Sequence, residues 1–324
     1  MSRYLSYFPG TSSFLTSGAL MTGEAAPGYI PYPVVARRIY NRMYNKGGAP
    51  RFILLVREPL QRAYSSYKYS YVNPALKLLK KKYHLHNSVV NDIGMKEIEY
   101  HPNDDDYYTS NYLFSFNDFI KSELRMLKEC LKLGSNAMNS SFTANSFWTE
   151  DEYERRKNND LPPMIDLDRF CYTSETYQWS EMKNDNPQRI LYSLPNKQLI
   201  TQFLGRSLYT LFLEWWYAIY PKNNVYIICS EDLKSSPITT MNNLTAWLGL
   251  PKYNYTPVIS HGLYNVAGKR GYNSVMKWDD INTVNSVSND TIIPLDDELK
   301  QDVLDFFHIY NQRLFELTGT TCDW

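Results

Sequence analysis

Residues 52–67 read FILLVREPLQRAYSSY, and this stretch is the clearest indication of the fold class. Its first five side chains are all apolar, as expected of a short strand buried on both faces. Pro59 suits the first position of a helix, which we predict to continue to about Tyr69. Only Arg57 and Glu58 separate the strand from the helix, so both stand at the carboxyl end of the strand.

The same pattern returns at residues 225–229, which read VYIIC and are followed by SEDL. A helix is predicted to start at about Pro237, with Ser236 as its N-cap and Gly249 just beyond its end. Strands that alternate with helices predict an α/β fold. We expect a mostly parallel sheet, with both apolar runs as interior strands and helices on both faces.

Two further helices follow from apolar residues at helical spacing. One stripe comprises Leu204, Leu208, Leu211, Trp215 and Ile219. The other comprises Leu299, Val303, Phe306, Tyr310, Leu314 and Leu317, and Gly319 ends it. Between the two halves, residues 71–195 carry Asn, Asp, Lys and Tyr in irregular order. We interpret this region as a long insertion with a few helices, one of them near 117–133, within a single domain spanning 1–324.

The bulk composition argues against several classes of protein. The 324 residues carry a formal net charge of zero, unlike most nucleic-acid-binding proteins. The five histidines form no metal-ligand pattern, so we expect no metal. No apolar stretch of this chain is long enough to span a membrane. The four cysteines are scattered, and an oxidising compartment would allow one or two disulfides. Cys229 lies in an apolar run, where we predict a small buried residue.

Arg57 and Ser65 are the first candidates for a binding site. Ligands of open α/β sheets bind at the carboxyl ends of the strands, where Arg57 stands. A guanidinium can hold a phosphate through two parallel N–H bonds, and a helix N-terminus offers free N–H groups nearby. Ser65 lies about two helical turns further on. The pattern fits a phosphate site, and its ordinary alternative is an arginine that caps its neighbours with a serine on a helix surface.

The segment resembles the 3′-phosphate-binding motif of the sulfotransferases, in which an arginine at a strand end precedes a serine by eight positions. Further segments resemble the heparan sulfate and chondroitin-type branch in the same order. They are GEAAPGY at 23–29, GRSLY at 205–209, SEDL at 230–233 with LGLP at 248–251, and the end from Tyr310 to Trp324. The resemblance covers roughly residues 1–70 and 197–324.

The resemblance implies transfer of a sulfuryl group from 3′-phosphoadenosine 5′-phosphosulfate to a hydroxyl of a carbohydrate, in the Golgi lumen and without a metal. Glu24 would take the proton from the attacking hydroxyl, as an ionised carboxylate can at neutral pH. Its ordinary alternative is an exposed glutamate before the turn at Pro27 and Gly28. Arg57 and Ser65 would bind the 3′-phosphate.

The resemblance also implies roles for one loop and two single residues. The loop Lys269, Arg270 and Gly271 would close over the donor, although a solvated basic turn explains it equally well. Tyr29 would line the acceptor cleft, and Arg206 would face acceptor or donor. Ordinary packing for Tyr29 and an exposed helix position for Arg206 are the alternatives.

The sequence departs from the family in two places. The family's Lys-Gly-Thr loop, which holds the 5′-phosphosulfate, is not found, so we expect either an N-terminally incomplete chain or a true short form. Ala25 stands where heparan-type relatives often carry lysine, which weakens the case for a highly sulfated acceptor. The competing hypothesis is a non-catalytic sulfotransferase-like module that binds glycan or nucleotide. A P-loop kinase is disfavoured because no G-x-x-x-x-G-K-[ST] occurs.

Overall fold

The computed structural model describes residues 21–26, 28–43, 50–72, 75, 113–137, 167, 171–172, 202–260 and 293–324. Its helices are α1 (Pro33–Arg42), α2 (Pro59–Tyr67), α3 (Phe116–Ala137), α4 (Tyr209–Tyr217), α5 (Ser230–Ser235), α6 (Pro237–Trp247), α7 (Thr256–Ser260) and α8 (Asp297–Thr318). The strands are β1 (Phe52–Val56) and β2 (Val225–Cys229). A π-helical turn, Lys68–Val72, extends α2, and 3₁₀ turns at Gly205–Ser207 and Lys222–Asn224 precede α4 and β2.

The two predicted strands are confirmed, and they pair with each other in parallel. The register runs from Phe52 opposite Val225 to Val56 opposite Cys229. Helices pack on both faces of β2, because α4 and α8 cover the face of Cys229, and Tyr226 on the other face contacts Trp247 of α6. The result is a mixed helical structure around a small parallel sheet.

One face of β1 is less covered than an interior strand requires. Phe52, Leu54 and Val56 face the helices, whereas Ile53 and Leu55 remain 49% and 52% exposed. Within the described ranges the sheet therefore has two strands, and the outer face of β1 has no helix packed on it.

An aromatic core fixes α2 against α3. The ring of Tyr67 contacts Phe116, Phe119 and Phe203 at centroid distances of 5.3, 5.8 and 5.9 Å. Its hydroxyl donates to the carbonyl of Phe114 at 2.9 Å, which satisfies a polar group that would otherwise be buried without a partner. Although α3 lies in the region predicted as an insertion, it shares one hydrophobic core with α2, α4 and α8.

Most of the predicted helices are confirmed with adjusted bounds. The helix expected near 117–133 is α3, and the helix expected from Pro237 is α6, although the Ser236 side chain makes no capping hydrogen bond. The last helix, α8, ends at Gly319, whose positive φ of 70° favours glycine.

The single helix predicted along 204–219 is wrong. Residues Gly205–Ser207 form a 3₁₀ turn, and Leu208, with ψ of 57°, separates that turn from α4. Every residue of α4 from Tyr209 to Trp216 is buried, so apolar periodicity could not show where the helix begins. The break matters because it sets the orientation of Arg206.

Two disulfides join segments that are distant in sequence. Cys130 of α3 is bonded to Cys171, and Cys229 at the end of β2 is bonded to Cys322. Cys229 is buried, as predicted, but the expectation of a simple small residue is wrong. Its partner lies 93 residues away, beyond the reach of any local pattern. Disulfides are typical of proteins that fold in oxidising compartments.

Candidate functional site

The parallel register brings the carboxyl ends of β1 and β2 to one edge of the sheet. Val56 pairs with Cys229, so Arg57 and Ser230 leave the sheet side by side. Tyr209 of α4 holds this edge, since its hydroxyl accepts from the Arg57 N–H at 3.3 Å and donates to the Arg57 carbonyl at 3.1 Å. Burial raises the pKa of Tyr209, which keeps its proton in place for this contact.

The guanidinium of Arg57 is only partly engaged. Its Nη2 donates to Gln61 at 3.3 Å, and its Nε is buried without a hydrogen-bond partner. Arg57 forms no ion pair with the part of the chain that the structure describes. A buried, unsatisfied donor is costly, so this guanidinium retains capacity for an anion.

Ser65 lies on the same side of α2 as Gln61. Both are exposed, and four residues separate them, which places them on one face of the helix. The Arg57–Gln61 contact therefore directs the guanidinium along the face that carries Ser65. A shared anion at Arg57 and Ser65 stays a prediction.

The N-terminus of α2 differs from the expectation that its N–H groups are free. Glu58 is the N-cap, and its carboxylate accepts from the N–H groups of Leu60 at 2.9 Å and Gln61 at 2.6 Å. Burial raises the pKa of Glu58, although those N–H groups and the nearby Arg57 oppose the rise. Glu58 therefore already occupies these two N–H groups, which are not available to an anion.

Three further residues at this edge were not predicted from the sequence. Glu231 and Lys234 belong to α5, directly after β2, and Trp324 reaches the edge from the far end of the chain. The Glu231 carboxylate accepts from the Ser230 hydroxyl at 2.8 Å and from the Trp324 indole N–H at 3.1 Å. The strand-end rule that selected Arg57 applies equally to SEDLK, so it could have found Glu231 and Lys234.

Arg206 and Tyr29 belong to a different neighbourhood, beside α1 and α4. The guanidinium of Arg206 donates to Gln202 and to the Tyr32 hydroxyl, both at 2.9 Å, and lies over the Tyr32 ring. Tyr29 packs against the Ala36, Trp216 and Tyr220 cluster. The structure thus brings Arg206 to the segment that follows Glu24.

Glu24 lies in an exposed, irregular stretch just before the turn in which Tyr29 N–H donates to the carbonyl of Ala26. It makes no hydrogen bond or ion pair with the described residues. Its role as a base stays a prediction. The loop of Lys269, Arg270 and Gly271 lies outside the described residues, so its role stays a prediction too.

The turn that carries Arg206 is held in place by hydrogen bonds to a buried carboxylate. Glu123 of α3 accepts from the N–H groups of Leu204 at 2.8 Å and Gly205 at 2.9 Å. A side chain at Gly205 would collide with Tyr172, so this close approach requires glycine. Arg62 of α2 is half-buried beside the same turn and donates to the Ser207 hydroxyl at 2.6 Å. This contact helps to fix the turn against α2.

A separate polar cavity of about 460 Å³ runs along β2. Its lining includes Tyr217, Asp232, Thr239 and Asn243, and none of the predicted site residues. Within the described ranges, no three His, Cys, Asp or Glu side chains are grouped to hold a metal ion. No helix in those ranges has both the length and the apolar character needed to cross a membrane.

Arg57, whose buried Nε lacks a hydrogen-bond partner, lies at the carboxyl end of β1 in a small parallel sheet, a position from which a guanidinium can bind an anion. No protein-family model matches the chain. It is 22% identical over 318 residues to the membrane-associated sulfotransferase kil1 of Dictyostelium discoideum, covering 94% of this chain and 53% of that protein. It is 32% identical over 74 residues to carbohydrate sulfotransferase 15 of Nototodarus sloanii, covering 23% of this chain and 46% of that protein. The chain thus spans about half the length of these curated relatives. Their names support a sulfotransferase family for this chain.

Proposed function

We propose that this protein transfers a sulfuryl group from 3′-phosphoadenosine 5′-phosphosulfate to a hydroxyl of a carbohydrate. The observation that carries the proposal is Arg57, a half-buried guanidinium at the carboxyl edge of the sheet with a buried Nε that lacks a partner. Guanidinium groups are well suited to phosphate, which the donor offers at its 3′ position. The similarity to two proteins named as sulfotransferases supports the same donor.

In the proposed reaction, Arg57 and Ser65 bind the 3′-phosphate and orient the donor. The acceptor hydroxyl oxygen forms a bond to sulfur while the bond from sulfur to the bridging phosphate oxygen breaks. Glu24 takes the hydroxyl proton, and 3′-phosphoadenosine 5′-phosphate leaves. The loop of Lys269, Arg270 and Gly271 would cover the donor.

A carbohydrate acceptor is supported by the name of the relative from Nototodarus sloanii and by the aromatic segment that follows Glu24. Tyr29 and Tyr32 offer rings on which a sugar can pack, and Arg206 is held beside them through its contact with Tyr32. We therefore assign the acceptor to this neighbourhood, with Tyr29 and Arg206 as its binding residues.

Incubation with donor carrying radioactive sulfate and a panel of glycans tests this function. We expect label in a glycan, and equal amounts of 3′-phosphoadenosine 5′-phosphate as the second product. A protein that binds the nucleotide but labels no glycan would instead be the non-catalytic binding module.

A further inference from the structure

Four asparagines of the sequence stand in the motif Asn-X-Ser/Thr, the acceptor motif of N-linked glycosylation. Asn243 and Asn254 belong to the part of the chain that the structure describes, whereas Asn139 and Asn289 lie outside it. The motif is short and arises by chance in many proteins, so the sequence alone does not select a site. The two disulfides favour a real site, because they are typical of proteins that fold in an oxidising compartment, where N-linked glycans are also attached.

The motif at Asn254 lies in an exposed, irregular segment between α6 and α7. The Asn254 side-chain oxygen accepts a hydrogen bond from the N–H of Thr256 at 3.1 Å. This turn involves three consecutive residues, so it can form without the rest of the fold. The amide nitrogen of Asn254, to which a glycan would be attached, makes no hydrogen bond with the described residues, and both Asn254 and Thr256 are exposed.

The motif at Asn243 is arranged differently. Asn243 lies within α6, and the threonine of its motif, Thr245, is only 5% exposed. The Thr245 hydroxyl donates to the Met241 carbonyl at 2.7 Å and lies 2.5 Å from the Tyr255 hydroxyl. The first of these contacts is local and forms with the helix itself. Because the hydroxyl that the motif requires is engaged here, Asn254 is the more accessible acceptor of the two.

The surface around Asn254 suits a large hydrophilic group. Tyr253 and Val258, on either side of the motif, are 57% and 50% exposed. The ring of Tyr253 packs on that of Tyr255 at a centroid distance of 5.0 Å, which leaves it an exposed apolar surface on which a sugar can pack. A glycan on Asn254 would therefore cover apolar side chains that otherwise face water.

We propose that Asn254 carries an N-linked glycan. The amide nitrogen of its side chain forms a bond to the anomeric carbon of an oligosaccharide, while the bond from that carbon to a lipid pyrophosphate breaks. The amide proton passes to a base of the glycosylating enzyme, and the lipid pyrophosphate is the second product. This inference goes beyond the proposed function and does not depend on it, because another enzyme attaches the glycan.

Expression of the full chain in eukaryotic cells, directed into the secretory pathway by a cleavable leader, tests the proposal. Peptide-N-glycosidase converts a glycosylated asparagine to aspartate, and mass spectrometry of the peptides should detect that change at Asn254 and not at Asn243. Thr256→Ala should abolish the modification although Asn254 remains. Thr256→Ser keeps a hydroxyl and should retain it. Asn243→Gln is the matched control, and its electrophoretic mobility should change on deglycosylation as that of the wild type does.

Three results would overturn the proposal. The first is an unmodified Asn254 in wild-type protein that is secreted with both disulfides formed. The second is a glycan that persists on Asn254 in Thr256→Ala. The third is equal or greater modification of Asn243, which would show that the engaged hydroxyl of Thr245 does not disfavour that motif. Peptide mapping without reduction shows whether each variant has formed both disulfides and has therefore folded.

Discussion

At the scale of single residues, Glu123 is a carboxylate almost completely removed from water, with 1% of its surface exposed. Burial raises its pKa to about 7. The opposing influences are hydrogen bonds from Gly205, Tyr172 and Leu204 and the charge of Arg62, all of which favour the ionised form. Desolvation outweighs them, so Glu123 binds its proton more tightly in the folded protein than in the unfolded chain.

This difference predicts a pH dependence of stability. A carboxyl group whose pKa rises on folding stabilises the protein fully below its unfolded pKa of about 4.5, and that stabilisation is lost as the pH rises towards 7. At about 1.4 kcal/mol per pH unit, the loss amounts to roughly 3 kcal/mol. Urea unfolding between pH 4.5 and 8 measures it. Glu123→Gln should lack this slope, and identical pH profiles for the two proteins would refute the assignment.

Glu24 is the second residue with a sharp prediction. Glu24→Gln keeps the shape of the side chain and removes the charge that accepts the proton. Turnover should fall by about 10²–10⁴-fold, the usual contribution of a general base. Affinity for 3′-phosphoadenosine 5′-phosphate should stay the same, because Glu24 acts on the acceptor. Initial rates with radioactive donor measure the effect, and a variant as fast as the wild type would show that Glu24 is not the base.

How far the site could be predicted from sequence depends on which contacts are local. Arg57 and Ser65 lie on one strand–helix unit, so their relation follows from helix geometry alone. The position of Arg57 beside Ser230 depends on β1 pairing directly with β2. The contact of Trp324 with Glu231 depends on a chain end whose path no local pattern describes.

At the scale of elements, the C-terminal segment after α8 supports the sheet edge. The Cys229–Cys322 disulfide ties this segment to the end of β2, and Trp324 contacts Glu231 and the rings of Tyr209 and Phe315. Tyr209 binds the backbone of Arg57, and Glu231 lies just after β2, so the segment stabilises the carboxyl end of the sheet, where the proposed phosphate site lies.

Removing this disulfide should therefore affect both stability and binding. The double variant Cys229→Ala, Cys322→Ala should lose about 2–4 kcal/mol of unfolding free energy, as is typical for a disulfide that closes a long loop. Its affinity for 3′-phosphoadenosine 5′-phosphate should fall as well, because the disulfide no longer holds the segment with Trp324 at the edge of the sheet. Chemical unfolding and calorimetry measure the two effects.

The other disulfide provides the control. Cys130→Ala, Cys171→Ala should lose stability, while its nucleotide affinity remains that of the wild type, because this bond lies in the core around α3. If both double variants lose affinity equally, the C-terminal segment has no specific part in supporting the site.

The elements also differ in how well sequence predicts them. The strands, α2 and α8 could be predicted because each has a strong local pattern and clear end signals such as Pro59 and Gly319. The break between the 3₁₀ turn and α4 could not, because it depends on Glu123 and Tyr172 packing against Gly205. Tertiary contacts override propensity there.

At the scale of the whole molecule, the two halves of the chain meet at the sheet. Residues 50–72 supply β1 and α2, whereas residues 202–260 supply β2 and the helices around it. The proposed donor edge needs both halves, and α8 packs against α2 and α4 to hold them together. The proposed acceptor neighbourhood lies beside α1 and α4. Because Tyr209 of α4 contacts Arg57, α4 borders both the proposed acceptor neighbourhood and the proposed donor edge.

Arg57 is proposed to bind a phosphate of the donor, and titration of 3′-phosphoadenosine 5′-phosphate by calorimetry tests this contact. Arg57→Ala should weaken binding by about 1.5–3 kcal/mol, the range for hydrogen bonds to charged groups. Arg51→Ala is the control, because Arg51 lies at the opposite end of β1 and donates to the Trp247 carbonyl at 2.7 Å. It should bind like the wild type. Unchanged affinity in Arg57→Ala would contradict the claim.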